Sequence, residues 1–132
     1  MQIPAVPPWP DQFDLVNLVD NITAWAFNIL PNYSSTVAEN VAIVTTRRCI
    51  LFGFNASSTL GSTQYVQLYD RQSAPGSGAI PVASFAVTSA STVPINYFPG
   101  RFFRNGLVIV NSTAQNSYVA GAANCLFDVQ YL

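Results

Sequence analysis

The groups in this chain that could do covalent or acid–base chemistry are few: six carboxylates (Asp11, Asp14, Asp20, Glu39, Asp70 and Asp128), two thiols (Cys49 and Cys125), and no histidine or lysine. Without histidine, the commonest general base and the commonest metal ligand are both missing. Without lysine there is no Schiff-base or Ser-Lys route. Asp11, Asp14 and Asp20 fall where helix capping and solvation explain them. A glycosidase-type pair would have to come from Glu39, Asp70 and Asp128, and neither their spacing nor their flanks suggest one. The thiols have no imidazole to activate them and no metal-ligand spacing around them. They are too few for a disulfide scaffold, so buried, reduced cysteines are expected, with a Cys49–Cys125 bridge as the other outcome. The loop "GSGAIP" has glycines but lacks the strand, lysine and helix of a phosphate cradle. No catalytic residue, cofactor or metal is expected.

Binding chemistry is better represented. Aromatic residues make up 13% of the chain, and "INYFPGRFFRNG" is their densest stretch, joining aromatics to Arg101 and Arg104 around a Pro-Gly turn. Arginine and aromatic side chains are what interface hot spots favour, which makes Arg101 and Phe102 candidate assembly residues. On the other reading, Phe102 or Phe103 fills a core and the arginines only solvate a loop. Charged residues are 8% of the chain, against about 25% in an average soluble domain. A chain so poor in charge is expected to commit much of its surface to partners. The five arginines against six acids, net charge −1, leave no basic footprint for nucleic acid or an anionic membrane.

Two unlike regions must position these residues. The first ten residues, "MQIPAVPPWP", contain Pro4, Pro7, Pro8 and Pro10. Proline fixes φ and removes a donor, so an extended, polyproline-like arm is expected. Beyond it, Leu15, Leu18, Val19, Ile22, Trp25 and Ile29 follow the i, i+3, i+4, i+7 pattern of one short amphipathic helix over 14–30. Asp11 can cap that helix and Pro31 stops it. Residues 1–35 therefore read as an assembly element, with Pro7, Pro8 and Trp9 as the arm's anchor and Leu15, Leu18, Ile22, Trp25 and Ile29 as an apolar stripe. Residues 36–132 read as one β-domain. Runs rich in Val, Ile, Phe, Tyr and Thr predict strands near 41–46, 48–54, 64–70, 81–88, 92–97, 107–111, 118–120 and 125–131. Between them lie turn-rich stretches such as "NASSTLGST", "RQSAPGSGAIP", "FPGRFFRNG" and "NSTAQN". Cys125, Phe127, Val129 and Tyr131 fall on one face and Asp128 and Gln130 on the other, which places Cys125 on the inner face. The fold class expected is mainly β: a single antiparallel β-sandwich, jelly-roll-like, preceded by the proline-rich arm and the helix.

No lysine or arginine precedes Arg47, so the basic region of a secretory signal is missing, and the apolar run 15–30 is too short and too polar to span a bilayer. Synthesis in a cytoplasm is expected. Asn-x-Ser/Thr triplets begin at Asn21, Asn32, Asn55 and Asn111, and without a signal they read as ordinary loop composition.

The stretch "GRFFRNGLVIVNSTAQNSYVAGAANCLFDVQYL" resembles the C-terminal part of small virion proteins of tailed bacteriophages, in its Gly-Arg-aromatic start, its "NGLVIVNST" and its closing "CLFDVQYL". A proline-rich arm before a single β-sandwich of this size is similar to the capsid decoration, or cement, proteins among them. The likeness is loose over 41–132 and strongest in the last thirty or so residues. It implies a homotrimer on the capsid surface of the virion, with the major capsid protein as partner and no nucleic acid or membrane bound. A receptor- or glycan-binding module of a phage tail or fibre, using loop aromatics as stacking platforms, is the alternative from another class.

Overall fold

The computed structural model describes residues 32–59, 61–88 and 91–132. The predicted arm and helix, and with them Pro7, Pro8, Trp9, Leu15, Leu18, Ile22, Trp25 and Ile29, lie outside the described residues. The remainder is mainly β, with no helix among the described residues. Its strands are β1 (Asn32–Ser34), β2 (Val41–Thr45), β3 (Cys49–Ser58), β4 (Gln64–Tyr69), β5 (Ala83–Val87), β6 (Thr92–Phe103), β7 (Leu107–Ser112) and β8 (Cys125–Tyr131). They form two four-stranded antiparallel sheets, ordered β1-β8-β3-β6 and β2-β7-β4-β5.

The pairing is nested: β1 pairs with β8, β2 with β7, β3 with β6 and β4 with β5. The β3–β8 and β4–β7 ladders then join these pairs into the two sheets. Side chains alternate across each strand as a pleated backbone requires. Leu51, Phe54 and Ala56 of β3, Phe103 of β6, and Cys125, Phe127 and Val129 of β8 meet Ala42, Val44, Val66, Leu68, Val87, Leu107 and Ile109 of the other sheet in one buried core. Phe85 stands edge-on to Phe54 at 5.9 Å and to Tyr97 at 6.3 Å, so β5 and β6 close one side of that core with an aromatic chain.

The second sheet is covered on its outer face too. All six residues of β7 are buried, as the unbroken "LVIV" requires of a strand with both faces covered. Val108, Val110, Tyr69 and Tyr118 form a second, smaller core there, with the Tyr69 and Tyr118 rings edge-to-face at 6.4 Å. The chain between β7 and β8 makes this cover. It is pinned to the loop after β4 by Gly78 N donating to Tyr118 O and Tyr118 N donating to Ala79 O, both 2.8 Å.

Several sequence expectations need adjustment. β6 runs on to Phe103, through the "FPGRFF" that reads as a turn. It is an edge strand, where proline leaves no ladder bond unmade, and its pairing with β3 shifts register between Leu51 and Gly53. Residues 118–120 make only an isolated bridge, Ser112 to Ala120. Asn32–Ser34, grouped with the arm by sequence, are β1 of the first sheet, paired with Asp128–Gln130. Ser35 extends that attachment, exchanging backbone and side-chain hydrogen bonds with Phe127 at 2.8 and 2.9 Å. Of the Asn-x-Ser/Thr positions, Asn111 is fully buried, whereas Asn32 and Asn55 are exposed.

Candidate interaction surface

All five arginines lie at one end of the sandwich. The register aligns Thr45 with Leu107, Cys49 with Phe103 and Tyr69 with Val108, so the β2–β3 turn, the end of β4 and the β6–β7 turn share that end. Arg47 and Arg48 occupy the first of these turns, Arg71 follows β4, Arg101 lies near the end of β6 and Arg104 just beyond it. The turns interlock closely. A Cβ on Gly106 would stand 2.7 Å from both the Thr45 and the Arg71 carbonyl oxygens, so no larger residue fits. Asp70 is the carboxylate of this end and it is already engaged. Its Oδ1 accepts from Asn105 N at 2.7 Å and its Oδ2 from Arg104 N at 3.2 Å, capping the β6–β7 turn.

The aromatic–arginine stretch singled out by sequence divides by strand alternation. Phe103 points inward and is 1% exposed; Phe102 points outward and is 60% exposed. Burying Phe103 stabilises the sandwich by about 1.5–3 kcal/mol, a gain Phe102 does not make among the described residues. Arg101, on the same side as Phe103, lies 5.6 Å from the Tyr97 ring centroid and 5.8 Å from that of Phe103. Its Nη2 donates to Val82 O at 3.1 Å. Arg101 thus bridges β6 to the segment entering β5 and seals the core's open side. Sequence grouped Arg101 and Phe102 as one assembly pair, and the structure gives them different surroundings.

Phe102 has neighbours that the sequence reading did not single out. Its partner across the ladder is Ile50, half-buried on the outer face, with Phe52 following. Gly100 lies beneath them: its φ is +139°, and a Cβ there would stand 2.5 Å from Ile50 Cγ2 and 3.5 Å from Phe52 Cε1. The signal was present in "CILFGF", an unbroken apolar run in which one face serves the core and the other has no core to serve. The result is an apolar patch of Ile50, Phe52 and Phe102 on the outer face of the first sheet, with exposed Arg47, Arg48 and Arg104 at the same end.

The candidate carboxylates sit at separate places. Glu39, in the β1–β2 connection, accepts from Tyr33 Oη at 2.6 Å and from Ser35 Oγ. Burial, then the hydrogen bond and charge of Glu39, push the Tyr33 hydroxyl up to about 12. Asp128, on the outer face of the first sheet, accepts from Ser34 Oγ at 3.0 Å. Among the described residues no three His, Cys, Asp or Glu side chains come together as a metal site would need. Cys49 and Cys125 are free and buried. They belong to opposite ends of β3, the former in it and the latter opposite Ser58. Burial pushes both thiols up to about 11, the Asp70 charge adding to it at Cys49, so at neutral pH they are protonated and inert.

One feature was invisible in the sequence. Gln67 points out of β4 beneath the β7–β8 connection and is fully buried. Its Nε2 faces the carbonyl oxygens of Ala114, Gln115 and Ser117 at 2.7, 3.1 and 3.1 Å, while its Oε1 accepts from Tyr69 Oη at 2.8 Å. No known family, curated protein or solved structure matches this chain.

Proposed function

We propose that this chain is a non-enzymatic structural protein of a tailed-phage virion, a decoration protein that binds the outer capsid surface and stabilises it by bridging major capsid subunits. The nested pairing of two four-stranded antiparallel sheets supports a jelly-roll reading, an architecture that viral capsid and lectin domains use. Fold alone does not assign a role. The observation that carries the reading is the surface: Phe102 stands 60% exposed beside Ile50, Phe52 and exposed arginines, on a chain with 8% charged residues. Burying such a patch between subunits is the work of an assembly protein, and three-fold self-association closes a ring without leaving an unsatisfied copy of the surface.

A second reading has one observation in its favour. An open groove of about 600 Å³ near the arginine end is lined by Tyr69, Asp70, Arg71, Gln72, Ile80 and Asn105, among others. Its mix of polar and apolar groups suits a glycan at a tail or fibre tip. Quantitative mass spectrometry of intact particles separates the two. A decoration protein is present at a copy number comparable to that of the major capsid protein, and a tip protein at a few copies. A count of a few per particle would refute the capsid reading.

A further inference from the structure

We infer that the outer face of the first sheet carries a binding site for a neutral glycan, in a hollow over Gly53 between the side-chain amides of Asn96 and Gln130. The site is distinct from the groove at the arginine end and goes beyond the assembly reading above. Its origin is in the backbone. Both ladders of β3 shift register between Leu51 and Gly53, and Gly53 lies so close to β6 that a Cβ there would stand 2.7 Å from the Ile95 carbonyl oxygen. No side chain fits at that position, so β3 leaves a gap where the strands on either side project theirs. The gap is a hollow of about 340 Å³ lined by Phe52, Asn55, Asn96 and Gln130, among others, around the Gly53 backbone.

Strand pairing lays the polar groups out in rows. Asn96, Gly53 and Gln130 are successive partners across β6, β3 and β8, and Asn32 follows on β1. Asn96 and Gln130 therefore stand two strand spacings apart, about 10 Å, with the glycine gap between them. Exposed Asn55 borders the gap on one side along β3 and half-buried Phe52 on the other. Asp128, opposite Asn55 in the next row, accepts at Oδ1 from Ser34 Oγ at 3.0 Å and from Gln130 Nε2 at 3.4 Å, which orients the Gln130 amide.

The chemistry of the lining selects the occupant. A side-chain amide offers donors and an acceptor together, as each hydroxyl of a sugar ring does, so amides on two sides of a gap can hold several hydroxyls of one ring with no charge to desolvate. Phe52 supplies an apolar wall for the C–H face of the ring. No arginine is among the described residues lining the hollow, and the adjoining charge is the Asp128 carboxylate, which disfavours acidic sugars. A peptide strand would be captured at a sheet edge through free backbone donors, and β3 is paired on both sides. An open hollow that takes about one or two rings binds weakly, on the order of millimolar. The repeats of a polysaccharide then raise the apparent affinity by avidity.

Affinity electrophoresis of the full-length chain tests this. Native gels would contain dextran, mannan, galactan or glycol chitin as neutral probes and polygalacturonate as an acidic one, each compared with a gel lacking polysaccharide. At least one neutral probe should slow the chain, and polygalacturonate should not. Asn96→Asp and Gln130→Glu, which keep the size of the side chain and lose its donors, and Asn55→Ala should each weaken that binding by about tenfold. The three residues border the hollow on the surface, and circular dichroism would check that each variant keeps its β signal. NMR of the wild type needs no variant: the Gly53 backbone amide and the Asn96 and Gln130 side-chain amides should shift on adding oligosaccharides of the neutral probe that binds. No retardation by any neutral probe, equal retardation by polygalacturonate, shifts confined to other residues, or binding that survives all three variants would overturn the site. Binding lost in Arg71→Ala and kept in the amide variants would also overturn it, by moving the glycan to the groove at the arginine end. The capsid reading is judged separately by particle copy number: high copy number without retardation removes this site and leaves that reading standing, and retardation with a few copies per particle does the reverse.

Discussion

At the scale of single residues, buried polar groups with full sets of partners decide more than the charged ones. Gln67 has the carbonyl oxygens of Ala114, Gln115 and Ser117 around its amide nitrogen and the Tyr69 hydroxyl on its oxygen. Replacing it with Ala strips the Gln115 carbonyl of this donor, leaves the Ala114 and Ser117 carbonyls to share the Ser112 hydroxyl, and leaves the Tyr69 hydroxyl to the Ala79 carbonyl at 3.2 Å. Gln67→Ala should destabilise the domain by about 1–3 kcal/mol, read as a lower denaturant midpoint. Protease nicking within 113–124 should increase in the same variant, because the amide is one of the ties that hold that connection, beside the Gly78–Tyr118 and Tyr118–Ala79 backbone bonds. The thiols predict an alkaline weakness. Their ordinary value of 9.0 rises to about 11 in the folded chain, so the folded state holds protons that the unfolded state has released. The stabilisation from burying them is complete below pH 9 and is lost as pH climbs towards 11. Denaturant midpoints measured across that window should fall, and a Cys49→Ala/Cys125→Ala variant should show a shallower fall. An unchanged slope would show that the thiols titrate alike in both states.

At the scale of elements, β6 shows what alternation rules capture and what they miss. Phe103, Cys125, Phe127 and Val129 are inward as period-two patterning requires, and β8 spans the residues that its pattern marks. "FPGRFF" reads as a turn because proline and glycine punctuate it, yet on an edge strand Pro99 forfeits nothing and Gly100 supplies the positive φ of a bend. Edge position is a property of the sheet and is not encoded locally in the strand. The same limit hid β1, whose "NYS" has no pattern of its own and is held by β8 and the Ser35–Phe127 clip. Gln67 was illegible for a related reason: an outward residue of a strand reads as solvated until a connection from elsewhere in the chain is known to cover it. Gly100→Val tests the bend. The φ of +139° and the 2.5 Å approach to Ile50 Cγ2 should make it destabilising by about 1–3 kcal/mol. Adding Ile50→Ala should recover only the steric part of that loss in thermal melts.

At the scale of the whole molecule, the position of β1 sets where the chain can be cut. Removing residues 1–31 should leave a cooperative melting transition close to that of the full chain. Removing 1–35 takes β1 and Ser35 as well, strips the Tyr33 and Ser35 donors from Glu39, and should lower the melting temperature clearly. Equal melting of the two truncations would mean that β1 contributes nothing to the sandwich. Nested pairing also has a consequence for synthesis. Asn32 and Gln130, which face each other across β1 and β8, lie 98 residues apart in the chain. At about 5–20 residues per second, a ribosome that has just made β1 needs on the order of 5–20 s more to make its partner. Only the short β4–β5 ladder can close early, and β3, β2 and β1 must wait in turn for β6, β7 and β8. The nascent chain therefore carries its apolar strands unpaired until translation is almost finished, so the step at which chaperones matter most falls at the end of synthesis.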